Sequence, residues 1–187
     1  MVKIYTRAGD DGTTGLLFGG RVAKDDPRTE ACGGVDEAVA VLGLARALGP
    51  AASSFDRLLL DLQRRLFVLG AELSTAPENT TKLRAGVSKV TQDMVAGLET
   101  EIDRLTAAAP LPAHFIVPGA CSVSAALDVA RAVVRRTERS VVTMQRGGLL
   151  VDPVVLSYLN RLSDLLFVTA RFEEHCRGLQ APPSREL

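Results

Sequence analysis

Leu58, Leu59, Leu62, Leu66 and Leu69 recur at steps of three and four between Ser54 and Ser74. A chain that turns once every ~3.6 residues sets all five on one side, so this stretch is predicted to be a helix whose apolar stripe needs a neighbour. Helical spacing also runs through about 28–48, 91–107, 122–145 and 153–177, with Met94, Leu98, Ile102 and Leu105 as the stripe of the third helix. Gly49-Pro50, Pro77 and Gly147-Gly148 punctuate the gaps; Ser54 is expected to cap the second helix and Asp152 the fifth, with Pro153 in its first turn. Such stripes bury best against one another, so the expected fold is all-α, a five-helix bundle. Residues 1–187 are read as a single domain: an irregular N-terminal segment over 1–27, the bundle over 28–177 and a loose tail over 178–187. A polar link over 78–90 and a Pro-rich irregular stretch over 108–119 join helices, and Lys3–Thr6 and Phe115–Val117 are the only candidate strands.

In the 187 residues, 22 Lys and Arg balance 22 Asp and Glu. The broad positive field of a nucleic-acid or membrane-surface binder is therefore missing, and an anion site must be built locally. With 47% hydrophobic and 24% charged residues, a chain of this length can bury a full core without disulfide or metal staples. Cys32, Cys121 and Cys176 are odd in number, far apart and in no C-x-x-C pair, which argues against a disulfide scaffold or a zinc ribbon. The first residues lack the apolar run of a secretory signal, and no run of about 18 apolar residues occurs, so no membrane helix is expected and the cytoplasm is the expected compartment.

Three motifs bear on function. Tyr5-Thr6-Arg7-Ala8-Gly9-Asp10-Asp11-Gly12-Thr13-Thr14-Gly15, with Lys24 beyond it, can cradle phosphate through backbone amides, hydroxyls and cations, although its residues alone fit an ordinary glycine-rich turn better. Arg131, Arg135, Glu138 and Arg139 share one face of the fourth helix, with Arg136 beside them; guanidiniums so close favour an anion among them, or else form a solvated charged face. Asn160, Ser163 and Asp164 are polar at helical spacing among leucines of the fifth helix, either around a ligand or satisfied by neighbours. Asp36 reads as a charge paired with an Arg of the fourth helix. Phe115, in the Pro-rich stretch, reads by default as core. The residue sets for a di-iron site, a G-x-S-x-G nucleophile or a thiol-histidine pair are missing, and no protein metal ligands are assigned; His114 reads as a loop residue.

In order, Tyr5-Thr-Arg-x-Gly-Asp-x-Gly-x-Thr, Arg21-Val-x-Lys-Asp-Asp, Gly34-Val-Asp-Glu, Phe115-Ile-Val-Pro-Gly, Arg131-Ala-Val-Val-Arg-Arg-Thr-Glu-Arg and Tyr158-Leu-Asn-Arg-Leu-Ser-Asp-Leu-Leu-Phe resemble the ATP:cob(I)alamin adenosyltransferases of the PduO type, colinearly from about 3 to 172. The resemblance implies a five-helix bundle, ferritin-like in its up-and-down arrangement, that assembles as a homotrimer with ATP between subunits and the corrinoid beside it. The implied reaction moves the 5′-deoxyadenosyl group of ATP to cob(I)alamin, giving adenosylcobalamin and triphosphate. By motif position Thr6, Arg7, Ala8, Gly9, Thr14, Gly15 and Lys24 would contact ATP, accompanied by Mg²⁺, and Arg135, Arg136, Glu138, Arg139 and Asn160 would surround the nucleotide. Arg135 would stabilise the leaving triphosphate, Phe115 would be the apolar wedge that displaces the lower axial ligand of cobalt, and Asp36 would pair with Arg131 across the trimer interface. A corrinoid reductase and an adenosylcobalamin-dependent client enzyme are implied partners; nucleic acid and membranes are not. The chain departs from the family pattern at Gly15 (usually Ser), Cys32 (commonly aromatic) and Ala38-Val39-Ala40 (usually Leu-Asn-Ser), the last two being positions that could reshape the corrinoid pocket or the subunit contact.

Overall fold

Each helix starts where a side chain or a proline solves the problem of the unpaired first-turn amides. The structure, a computed structural model, describes residues 5–150 and 152–185. Helix α1 (Pro27–Leu48) opens with Asp26, whose carboxylate accepts from the Arg28 amide at 2.8 Å, and with a proline where no N–H is needed. Helix α2 (Ser54–Leu73) is capped by Ser53 rather than Ser54: the backbone of Ser53 is extended, which lets its hydroxyl accept from the Asp56 amide at 3.1 Å. Thr91 caps α3 (Gln92–Ala108), its hydroxyl accepting from the Met94 amide at 3.3 Å. Before α4 (Ser122–Arg146), Cys121 Sγ accepts from the Ser124 amide and Ser124 Oγ from the Cys121 amide, a capping box in which a thiol takes the usual hydroxyl's place. Helix α5 (Val154–Cys176) begins one residue later than expected, with Pro153 as the N-cap rather than in the first turn, while Asp152 just outside the helix accepts from the Val154 amide at 3.1 Å.

The helices pack in the order α2, α1, α4, α5, α3, and Leu42, Leu59, Leu66, Leu127, Leu159 and Leu166 are fully buried along the seams. Helices α1 and α4 come close because residue 34 is glycine. A Cβ there would overlap Thr137 Oγ1 and stand 3.2 Å from the Thr137 Cβ. The buried stripe of α3 is Val95, Leu98 and Leu105, while Met94 and Ile102 are only partly covered at its edge. No helix among the described residues is long and apolar enough to cross a membrane.

Three connecting segments differ from expectation. Pro77–Lys82 forms a short 3₁₀ helix inside the polar link, and Val90 at the end of that link is buried. There the Glu72 carboxylate accepts from the Val90 amide at 2.6 Å, and burial pushes its carboxyl up from the usual range. The N-terminal segment contains an antiparallel hairpin, β1 (Thr13–Gly15) with β2 (Arg21–Ala23), whose turn uses positive φ at Phe18, Gly19 and Gly20. Strands of three residues carry too little alternation to be seen in sequence. Of the two candidate strands, Lys3 and Ile4 lie outside the described residues, Tyr5 and Thr6 are not in a strand, and Ile116 makes only an isolated antiparallel bridge to Pro183. The tail expected to be loose is therefore tied down as far as Ser184. Its two prolines cannot donate, but Pro182 O accepts from Val117 N and Ser184 N donates to Phe115 O, both at 2.8 Å.

Candidate functional site

The glycine-rich loop is held open by one arginine. Arg21, on β2, donates to Thr13 Oγ1 from Nε at 3.0 Å and from Nη2 at 2.6 Å, and also to the Ala8 carbonyl. Asp11 accepts from the Thr13 amide and hydroxyl, and these bonds hold its carboxyl below the usual carboxylate range. With Arg21 and Asp11 engaged in shaping the loop, Arg7 and Lys24 remain outside its ion pairs. Arg7 sits at φ 60 and lies over the Tyr5 ring at 5.8 Å. A left-handed backbone at a non-glycine costs about 1 kcal/mol or more and gathers at ligand-binding turns. A Cβ at Gly9 would press to 3.0 Å on Thr13 O and to 3.4 Å on the Lys24 ammonium. Thr14 and Gly15 lie on β1 opposite Val22 and Arg21, and a Cβ at Gly15 would meet nothing, so space does not exclude the serine usual in relatives.

A second region lies along α4 and α5. A cleft of about 400 Å³ is bounded by Phe115 and Ile116 on one side and by Arg131, Arg135, Asp164 and Phe167 on the other. Phe115 is 86% exposed and so is not core. At the cleft edge its ring joins Ile116, Pro118 and Phe167 in an apolar part of the lining. Phe167 is flanked by two guanidiniums, Arg131 at 5.6 Å and Arg171 at 5.2 Å from its centroid. Arg171 is buried with Asp128 (2.7 Å) and Glu174 (2.9 Å), a charge network behind the cleft wall.

The polar residues of the two helices do not all converge. Asn160 Nδ2 donates to Glu138 Oε1 at 3.3 Å and its Oδ1 accepts from Arg161 at 2.8 Å; Arg139 donates to the Arg135 carbonyl at 3.0 Å. Ser163 faces the core and donates to the Asn160 carbonyl, whereas Asp164, about 100° further round, is exposed and pairs with Arg161. Ser163 and Asp164 nonetheless both line the cleft, whereas Asn160, held by Glu138 and Arg161, does not. Arg136 pairs with Glu37 across the α1–α4 seam. The acidic residue of α1 that meets an α4 arginine in this chain is thus Glu37, not Asp36. Asp36 is exposed and in no ion pair among the described residues; burial, with the Asp36 charge adding to it, pushes the Cys32 thiol up to about 11. Ala38 is fully buried packing. Among the described residues, no hydrogen bond or ion pair joins loop residues 6–15 or Lys24 to Arg135, Arg136, Glu138, Arg139 or Asn160.

Sequence reading gave no role to Arg21, although it opens one of the family motifs, nor to Arg28 or the Arg171 network. Arg28 is buried and donates to the carbonyls of Leu73, Thr75 and Leu149, clamping the ends of α2 and α4. The spacing of Arg171 and Glu174 at i and i+3 was a signal for one pair; nothing local announces carbonyl partners 45 or more residues away.

Taken together, a helical bundle with an aromatic-edged cleft lined by Arg131 and Arg135 as well as Asp128 and Asp164, and with a glycine- and hydroxyl-rich loop, defines a helical small-molecule-binding protein. The family model for cobalamin adenosyltransferases matches residues 4–173, and the chain belongs to that family. It is 42% identical over 174 residues to a corrinoid adenosyltransferase of Citrobacter freundii, covering 93% of this chain and 96% of that one. The corrinoid adenosyltransferase of Mycobacterium tuberculosis is 43% identical over 174 residues, covering 91% and 88%. Among solved structures, a phenylalanine-to-alanine variant of a PduO-type ATP:corrinoid adenosyltransferase from Lactobacillus reuteri, complexed with cobalamin and ATP, superposes with a TM-score of 0.88 at 31% identity over 98% of this chain and 100% of that one. An arginine-to-lysine variant of the same enzyme, complexed with ATP, gives 0.87 at 31% identity over 97% and 100%.

Proposed function

We infer that the protein is a transferase that moves the 5′-deoxyadenosyl group of ATP to cob(I)alamin, forming adenosylcobalamin and releasing triphosphate. The observation that carries the assignment of roles is the cleft that faces exposed Phe115 with Arg131 and Arg135. Cobalt(I) attacks the 5′ carbon of ATP, the carbon–oxygen bond to the triphosphate breaks, and the electron pair leaves with the triphosphate. No protein nucleophile is required. The protein aligns the two substrates and stabilises the negative charge that grows on the leaving group, the task of Arg135. Phe115 provides an apolar lower face that disfavours a fifth ligand on cobalt, and thereby eases reduction of cobalt(II) to cobalt(I).

In this reading the loop residues Thr6, Arg7, Ala8, Gly9, Thr14, Gly15 and Lys24 hold the triphosphate, while Arg139, Glu138 and Asn160 border the nucleotide. Arg136 contributes by fixing α4 against Glu37. The described residues offer no group of three or more His, Cys, Asp or Glu able to hold a metal ion. Mg²⁺ enters on the triphosphate, with water and at most one or two protein oxygens completing its shell. There it would neutralise phosphate charge. A homotrimer completes the site by bringing the loop of one subunit to α4 of the next, and pairs Asp36 with Arg131 of the neighbour; Asp36, exposed and in no ion pair among the described residues, is free to do so. A reductase supplies the electron, an adenosylcobalamin-dependent enzyme receives the product, and the cytoplasm is the compartment.

The test is anaerobic incubation with Mg-ATP and chemically reduced cobalamin. Growth of the adenosylcobalamin absorption spectrum with one triphosphate per turnover is expected; ATP binding with no product would overturn the assignment.

A further inference from the structure

Phe115 lacks the packing that normally fixes an aromatic ring. It is 86% exposed and stands between two open spaces: the 400 Å³ cleft that reaches Arg135, and a second of about 300 Å³ bounded by His114, Pro183, Ser184 and Arg185. Its direction must be set by its backbone. Residues 110–120 make just two backbone hydrogen bonds among the described residues, and both go to the C-terminal segment: Val117 N to Pro182 O and Ser184 N to Phe115 O, each 2.8 Å. The chain reaches that position by reversing at Gly178, in the left-handed region at φ 66, where Leu179 N donates to Glu174 O at 2.9 Å. The match to the family stops at residue 173, before this segment begins.

We propose that residues 178–185 are a working wall of the corrinoid site, a strap that positions Phe115 by pairing with its backbone and that lines the space on the far side of its ring. The proposal rests on the reading of Phe115 as the apolar wedge under cobalt. A wedge displaces a ligand only if its own backbone resists being pushed back. Here the resistance comes from two hydrogen bonds to a segment that is itself anchored at Glu174, next to the buried pair of Arg171 with Asp128. Without the strap, the 110–120 stretch keeps no backbone tether, and the ring yields to the lower base instead of expelling it.

The experiment compares four proteins: wild type, Ser184→Pro, a chain ending after Gly178, and Phe115→Ala. Ser184→Pro removes one N–H donor from an exposed turn and leaves the bundle untouched, so it carries the test even if the shortened chain folds poorly. The first readout is the fraction of cob(II)alamin that loses its lower base when bound with ATP. It is followed anaerobically by absorption and by loss of the nitrogen superhyperfine splitting in the electron paramagnetic resonance spectrum. The second is kcat/KM with cob(II)alamin plus reductant, with pre-reduced cob(I)alamin, and with cobinamide, which has no lower base.

Loss of one or two hydrogen bonds predicts a fall of about tenfold in the base-displaced fraction and in kcat/KM from cob(II)alamin. The losses with cob(I)alamin and cobinamide are smaller, and KM for ATP and the melting temperature of Ser184→Pro stay at wild-type values. If Phe115→Ala abolishes base displacement while Ser184→Pro and the shortened chain keep it, the strap is overturned and the wedge stands. Should Phe115→Ala itself leave base displacement intact, the wedge reading fails and the strap with it. Equal losses across all three corrinoid substrates, or a rise in KM for ATP, would reduce the strap to a purely structural element and also overturn the proposal.

Discussion

Arg135 and Arg136 are neighbours in sequence but about 100° apart around α4, and that rotation separates their roles. Arg135 is exposed on the cleft, whereas Arg136 reaches Glu37 on α1. Arg135→Ala is expected to leave unfolding free energy within about 0.5 kcal/mol, as at other exposed positions, and to lower kcat at least about 100-fold, as removal of one charge-stabilising group does. Arg136→Ala is expected to do the reverse in kind: a loss of up to about 1 kcal/mol of stability, since the pair is half exposed, with a far smaller effect on kcat. Denaturant unfolding and steady-state kinetics on both variants check this, and a stability loss at Arg135 larger than at Arg136 would contradict it. Tyr158 poses the opposite case. Its hydroxyl is fully buried with no hydrogen-bond partner among the described residues, and burial pushes its ionisation upward. Tyr158→Phe removes a polar group that lacks compensation, so it is expected to be neutral or stabilising by up to about 1 kcal/mol, measured as an unchanged or raised melting temperature. The shared face of Arg131 and Arg135 was legible from i, i+4 spacing; the partner of Arg136 was not, because spacing on one helix is silent about which acidic residue another helix presents.

At the scale of elements, the α1–α4 seam is set by volume rather than by charge. Gly34 costs roughly 1 kcal/mol of helix propensity relative to alanine, so local preference alone favours Gly34→Ala. The overlap with Thr137 opposes it, and overpacking a tight seam costs about 1–3 kcal/mol, so the net effect is expected to be destabilising. Thr137→Ala in the same chain should recover part of the loss, and a double-mutant cycle measures the coupling; additive effects would remove the seam explanation. All five helices were visible in sequence because each combines a 3.6-residue stripe with a capping side chain or proline at its start. What stayed hidden were elements held by contacts from elsewhere. The hairpin depends on Arg21 and on docking of Leu17 N to Ser74 O at 2.9 Å, the Val90 corner on the Glu72 carboxylate, and the tail on the backbone of Phe115 and Val117. Short segments of this kind have too few residues to show a period, and their partners lie far along the chain.

Over the whole molecule, no hydrogen bond or ion pair among the described residues joins the two halves of the proposed site, and the proposed trimer says how they would meet. Lys24 and its loop lie before α1, on the hairpin that docks at the end of α2; Arg135 lies midway along α4, where Gly34 and Glu37 cross it. In the proposed trimer the loop keeps the Arg21 bonds to Thr13 that shape it and meets the α4 of a neighbour. Closed rotational symmetry repeats this at every site, since each subunit offers its loop to one neighbour and its α4 to the other. The consequence is testable with two inactive proteins. Lys24→Ala damages the loop half and Arg135→Ala the helix half; each alone is expected to form inactive trimers. When the two are unfolded together in equal amounts and refolded, random assembly leaves about one site in four with an intact loop from one subunit and an intact α4 from the next. Activity near a quarter of wild type would therefore establish that the site is shared. A mixture as inactive as its parents, with sedimentation showing that trimers formed, would mean that loop and helix serve the same chain, and the intersubunit site would have to be abandoned.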